Sequence, residues 1–388
     1  MTLPLHMRRQ GFDPDPGLAA ARAEPGLTKV PTPYGRDAWL VTRYDDVRDV
    51  LRNAELFSYG HGINIPPMSE EQARRLKAGA LLMLDPPDHT RLRRMLTPEF
   101  TMRRIRRLEP RVREIVADHL DAMERAGAPA DLVADFATPI PSLVICELLG
   151  VPYADRADFQ ARSTTLLDFN QPPEARGQAQ MASAAYMGEL VARARVEPGD
   201  DLLGMLVRDQ GDAVTDAELV GLGGLLLIAG HETTASMIGL GTLALLRHPD
   251  QLALVREDPE KVDGMVEELL RWLTIIHSGA IKVAAADTEI GGVPIAKGDA
   301  VVVSLPAANR DPALTENPDA FDVTRRDLPH VAFGYGAHHC IGAPLARMEM
   351  RIAFPALFDR FPGLREAGEP AFRSFNVVYG LSSFPVAW

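Results

Sequence analysis

The sequence predicts a mainly α-helical protein with a small β part, and three observations carry that prediction. Apolar residues recur at helical spacing from about residue 84 to Leu246. The strand-like runs are short and lie mostly in the last third of the chain, as in Ala300-Val301-Val302-Val303-Ser304. The stretch 219–246 is apolar and far too long for a strand. His231 and Glu232 interrupt it, which is costly in lipid, and six glycines (221, 223, 224, 230, 239, 241) favour close packing against protein. A long helix buried in a protein core therefore fits better than a membrane span.

Composition narrows the class. The chain has 388 residues, 46% hydrophobic and 24% charged, as an ordinary globular protein does. A net charge of −12 argues against general nucleic-acid binding. Two cysteines, Cys146 and Cys340, exclude a disulfide scaffold and indicate a reduced, cytoplasmic protein. Arg8 and Arg9 are followed by no apolar run, so neither a signal peptide nor an anchor is expected.

In order, residues 1–36 are rich in Pro and Gly and are expected to be irregular, with a single domain over 37–388. Ala38-Trp39-Leu40-Val41-Thr42 reads as a strand and 44–54 as a helix. Residues 57–80 read as a long functional loop. A helix opens after Pro86-Pro87 and places His89 and Arg93 on one face. Cys146 sits in an apolar helical run and reads as a core residue. Residues 165–170 and Pro172-Pro173 break two helices, as a lid would. Beyond them come a helix at 265–273, a hairpin turning at Gly291-Gly292, the strand 300–304, a meander over 306–332 and a last hairpin over 375–388.

The densest motif is Phe333-Gly-Tyr-Gly-Ala-His-His-Cys-Ile-Gly342. Its glycines permit tight turns, and Cys340 precedes a predicted helix whose N-terminus should favour thiolate, the metal-binding form. Upstream, Ala229-Gly230-His231-Glu232-Thr233-Thr234 sets an acid and an alcohol in the middle of a helix. Ala235 stands where a zinc motif of the His-Glu-x-x-His kind needs its second histidine, which excludes that reading. Gly221-Leu222-Gly223-Gly224 lacks the third glycine and the preceding strand of a dinucleotide fingerprint. Glu268 and Arg271 are three apart on one helical face.

The Phe-x-x-Gly-x-His-x-Cys-x-Gly spacing resembles the haem-binding loop of cytochrome P-450 enzymes, and from about Trp39 to Trp388 the motifs follow that family's order. The resemblance is strongest to soluble actinomycete members that tailor natural products. It implies a helical bundle around a buried haem b, with small β-sheets. Cys340 would be the axial ligand to iron, while Phe333, Gly342, Ala229 and Gly230 flank the cofactor. His89, Arg93, Lys282 and His338 would bind the propionates, although Lys282 stands where an arginine is usual. Glu232 and Thr233 would relay protons to dioxygen activated at the iron. Glu268 and Arg271 would form a structural network behind the haem. Ala320 replaces that network's usual meander arginine, which leaves Arg325 or Arg326 to complete it.

With no flavin or iron–sulfur motif present, electrons would come from NAD(P)H through a ferredoxin reductase and a ferredoxin. Nine arginines against two glutamates over 91–113, among them Arg91, Arg94, Arg103, Arg104 and Arg107, would dock the acidic ferredoxin. Ile63, Ile65, Leu82, Leu167, Ile276 and Val378 are candidate walls for a medium-to-large, mostly apolar substrate, with His61, Asn64 and His277 as polar contacts; a macrolide, another polyketide, a terpenoid or a steroid would fit, a macrolide or other polyketide foremost. A monomer hydroxylating or epoxidising such a molecule is expected. The rivals are a peroxygenase, a C–C coupling enzyme or isomerase, and a haem sensor.

Overall fold

The computed structural model describes residues 3–33, 35–59 and 77–388. The loop expected at 57–80 falls mostly outside the described residues, as do His61, Ile63, Asn64 and Ile65.

A helix over Asp216–Arg247 runs through the core. Thr215 starts it with a capping box: its hydroxyl accepts from the Glu218 backbone N–H, and the Glu218 carboxylate accepts from the Thr215 N–H. Helices Pro139–Leu149, Pro173–Val196 and Ala343–Arg360 pack around it. The glycines permit the close approach: a Cβ on Gly241 would lie 2.5 Å from Phe354 Cζ. From Ala235 to Leu245 every residue of this helix is buried, and Cys146, on the neighbouring helix, is a core residue as expected.

Beside the bundle lies a five-stranded sheet in the order Thr28–Pro31, Asp37–Val41, Ala300–Val303, Ala280–Ala284, Phe57–Ser58. Asp37–Val41 and Ala300–Val303 pair in parallel and the other neighbours are antiparallel. Among the described residues no helix is long and apolar enough to cross a membrane.

Two local expectations are corrected. The described part of the N-terminal stretch, expected to be irregular, holds regular elements: Asp15 caps a helix over Pro16–Ala23 by accepting from Gly17 N–H at 2.8 Å, and Thr28–Pro31 is a sheet edge. Short elements bounded by Pro and Gly leave little periodicity to read. The C-terminal hairpin is also not local. Gly380–Ser383 pairs with Ala371–Arg373, whereas Pro385–Ala387 pairs with Arg365–Glu366 and Ala130–Asp131. Alternation marks a strand but does not name its partner.

Candidate active site

Cys340 lies in a loop wound back on itself. Its backbone N–H donates to the Phe333 carbonyl at 2.9 Å, and Gly334 and Gly336 have φ of +72° and +74°. At Gly336 a Cβ would come within 2.9 Å of the Leu51 carbonyl oxygen. The helix Ala343–Arg360 then begins three residues on, and the Arg347 guanidinium lies 4.6 Å from the Phe333 ring while pairing with Glu267 at 2.6 Å. Burial pushes the Cys340 thiol above its ordinary pKa, and only partly do the N–H groups of Gly342 and Ala343 and the charges of Arg93 and Arg347 oppose it. Cys340 itself is exposed, so the protein around the thiol opposes the expected preference for thiolate without sealing it off, and a coordinated metal ion would favour thiolate. No group of three His, Cys, Asp or Glu side chains among the described residues could hold a metal ion.

The predicted cations gather beside this loop. His89 and His338 stack with ring centroids 4.0 Å apart, and the Tyr59 ring meets His338 edge-on at 4.6 Å. None of the four imidazole nitrogens has a hydrogen-bond partner among the described residues. Burial lowers both pKa values; His338, also beside His89 and Lys282, falls to about 3. Lys282 is buried in the strand Ala280–Ala284, donates to the Phe57 carbonyl at 3.2 Å and lies 4.5 Å from the Tyr59 ring centre. Desolvation brings its pKa down to about 8, against the opposing charge of Asp85. Arg93 donates to the His339 carbonyl at 2.5 Å. Buried polar nitrogens without acceptors are uncommon in proteins. Two imidazoles, an ammonium and a guanidinium beside one thiol fit an iron macrocycle that carries two carboxylates.

On the long helix the predicted residues behave differently. Ala229 is exposed and Thr233 half-buried. Gly230 is corrected as a source of room for a cofactor: Ile145 fills its missing side-chain volume, since a Cβ would lie 2.6 Å from Ile145 Cδ1. The Thr233 hydroxyl donates to the Ala229 carbonyl at 2.8 Å. Glu232 is buried and fully engaged, accepting from Arg373 at 3.0 Å and from the Thr164 hydroxyl at 3.2 Å, with His231 Nε2 at 3.6 Å. Burial pushes its carboxyl up, but His231 and Arg373 outweigh that and hold its pKa at about 2. Arg373 and Thr164 had no signal in the sequence, because both lie far from Glu232 along the chain.

Glu268 and Arg271 form a buried bidentate pair with both N–H···O distances at 2.7 Å. Arg271 also donates to the carbonyls of Asn309, Pro318 and Ala320. Ala320 thus contributes its backbone. Of the two arginines considered, Arg325 approaches Glu268 at 3.5 Å, while Arg326 is exposed.

Three wall candidates come together. The Val377 N–H donates to the Leu167 carbonyl at 2.9 Å, and Ile276 bridges Val378. The segment expected to act as a lid is tied to the same place, since Phe169 N–H donates to the Phe375 carbonyl at 3.0 Å. His277 is buried and its Nε2–H donates to the Asn376 carbonyl at 2.8 Å. Leu82, in the turn Leu81–Met83, is 53% exposed. In the basic region Arg91 pairs with Glu218 and Arg104 with Glu99. Arg94, Arg103 and Arg107 are exposed and make no ion pair among the described residues.

A thiol in a glycine-rich loop, flanked by unpaired nitrogens, within a helical bundle defines a class of protein, and comparison with known proteins gives it a name. The cytochrome P450 family model matches residues 32–171 and 192–370. Cytochrome P450 FAS1 of Rhodococcoides fascians is 47% identical over 100% of this chain and 98% of its own length. The structure of CYP105P1 in complex with filipin I matches with a TM-score of 0.92, at 45% identity over 98% of this chain and 97% of that one. That of StaH, from biosynthesis of the glycopeptide antibiotic A47934, matches with a TM-score of 0.89, at 45% identity over the whole of both chains. The chain belongs to the cytochrome P450 family. Its activity is that of a monooxygenase, and the family works with haem iron and dioxygen.

Proposed function

We propose that this protein hydroxylates or epoxidises a medium-to-large apolar natural product, of macrolide or other polyketide type. It works as a cytoplasmic monomer with one catalytic domain over 37–388. Haem b is its cofactor, and electrons come from NAD(P)H through a ferredoxin reductase and a ferredoxin. The observation that carries the reading is the set of four imidazole nitrogens of His89 and His338 that lack a partner among the described residues, grouped with Lys282 and Arg93 beside Cys340. CYP105P1, solved with filipin I bound, and StaH, from biosynthesis of a glycopeptide antibiotic, support a natural product as the substrate.

In this reading Cys340 would supply the thiolate that holds the iron, and His89, Arg93, Lys282 and His338 would hold the two propionates. Phe333, Gly342 and Ala229 border the macrocycle. Thiolate-ligated haem iron, when bound, supplies the oxygen-activating redox chemistry. The protein supplies protons and position. Glu232, with its pKa at about 2, is ionised at neutral pH and carries a proton inward only after leaving Arg373. The Thr233 hydroxyl gives its own proton to Ala229 and keeps lone pairs that can accept from a neighbour. Leu167, Ile276 and Val378 form the apolar wall that excludes water. The exposed Arg94, Arg103 and Arg107 steer the acidic ferredoxin, while Arg91 and Arg104 are already paired.

The test is a panel of macrolides, other polyketides, terpenoids and steroids screened for the low-to-high-spin shift of the haem. Hits are then incubated with ferredoxin, ferredoxin reductase and NADH. The expected result is a macrolide or other polyketide that shifts the spin state and yields an oxygenated product. A shift and product only with a terpenoid or steroid would overturn the substrate class.

A further inference from the structure

We infer that Arg9, in the N-terminal arm, is a positioning residue that sets the shape of the substrate wall from behind. The inference rests on the assignment of Leu167, Ile276 and Val378 to that wall.

Three segments make the wall, and each is anchored to a group of the candidate site. Residues 164–169 start at Thr164, which donates to Glu232. Residues 373–379 start at Arg373, which pairs with Glu232. Residues 273–279 lead into the strand that carries Lys282. The segments are joined to one another by the Val377–Leu167 and Tyr379–Ile275 backbone bonds and by the Ile276–Val378 bridge.

Arg9 holds this unit from the side of the arm. Its guanidinium donates to the Leu273 carbonyl at 2.7 Å and to the Thr274 carbonyl at 2.5 Å. The same group lies 4.7 Å from the centre of the Tyr379 ring. The Tyr379 hydroxyl donates back to the Gly11 carbonyl at 2.6 Å. Thr274 needs such a clamp, because it ends the helix Val262–Leu273 at φ +35°, a left-handed conformation that a β-branched residue rarely adopts. The carbonyl that Arg9 grips therefore belongs to the strained residue two places before Ile276. One planar fork reads both 273–274 and 379, so it fixes the separation of two wall segments. Lysine, a point donor, cannot reproduce that geometry.

The test uses ligands that need no knowledge of the substrate. Imidazole reaches only the iron, whereas clotrimazole also fills the space around it. Arg9→Gln is expected to leave the imidazole dissociation constant unchanged and to weaken clotrimazole about three- to tenfold. Arg9→Lys should restore only part of the loss. Hydrogen exchange at the amides of Val377 and Tyr379 should speed up in Arg9→Gln. If both ligands bind as in the wild type, or if both weaken equally, the inference is overturned. Should Arg9→Gln fail to fold, Tyr379→Phe, which removes only the bond to Gly11, must show the same selective loss at smaller size. If wild-type protein gives no azole spectrum at all, it is the haem reading that fails, and the exchange result still judges Arg9 alone.

Discussion

The cysteine side and the Glu232 side of this molecule follow opposite electrostatic plans. Beside Cys340, the buried imidazole nitrogens of His89 and His338 have no partner among the described residues, and Lys282 is driven toward neutrality. Around Glu232 the charge is answered from three directions, by Arg373, Thr164 and His231. An unsatisfied cluster is unfavourable by itself and becomes favourable only with its ligand. A satisfied cluster is stable by itself and must be opened before it can act. In the proposed reading the first would be a binding site, and the second a proton gate held shut.

That contrast can be broken most forcefully at a third place, the closed Glu268–Arg271 pair. Arg271→Ala strands a buried carboxylate and removes donors from three carbonyls, so a loss of about 3–5 kcal/mol is expected in denaturant unfolding. If the pair were dispensable, the loss would be under about 1 kcal/mol, the size of a surface ion pair.

The Glu232 cluster should respond next. A carboxyl held at about 2 instead of 4.5 in the folded protein stabilises it by about 3 kcal/mol above pH 4.5, and the contribution is lost as pH falls toward 2. In Arg373→Gln the pKa of Glu232 rises, so stability should depend less steeply on pH between 5 and 3, with a net loss of about 1–3 kcal/mol at neutral pH. The pH profile of the ratio of product to NADH consumed should also move upward in pH. A slope identical to the wild type would remove Arg373 from the gate.

On the cysteine side the sign reverses. His338→Phe removes an unsatisfied imidazole, so the haem-free protein should be unchanged or more stable by about 1 kcal/mol, while haem dissociates faster. Destabilisation of the haem-free protein together with unchanged haem retention would show that His338 is an ordinary core residue.

Thr233→Ala should have the smallest effect on stability, since it removes one exposed hydroxyl bond within a helix. Its effect should lie in coupling: NADH consumption continues, the product-to-NADH ratio falls, and hydrogen peroxide appears. An unchanged ratio would leave Thr233 as a packing residue.

The motifs were legible in the sequence because each is local. The Cys340 loop, the Glu232-Thr233 step and the Glu268–Arg271 spacing sit within one or two turns of backbone. What completes them was not legible. Arg373 is 141 residues from Glu232, and Arg9 is 265 from Thr274. No periodicity links such positions; only the packed chain does. Ala320 illustrates the same limit, since a missing side chain reads as a gap whereas its carbonyl still takes a bond from Arg271.

The central claim is that Cys340 is the thiolate that turns this nitrogen-lined cluster into a haem-thiolate site. The other cysteine, Cys146, is buried with its pKa pushed up to about 12 by desolvation and cannot stand in. The absorption spectrum of the reduced carbon monoxide complex measures the claim directly. The wild type should show the thiolate-type band, and Cys340→Ser should lose it. An unchanged band in Cys340→Ser would contradict the account.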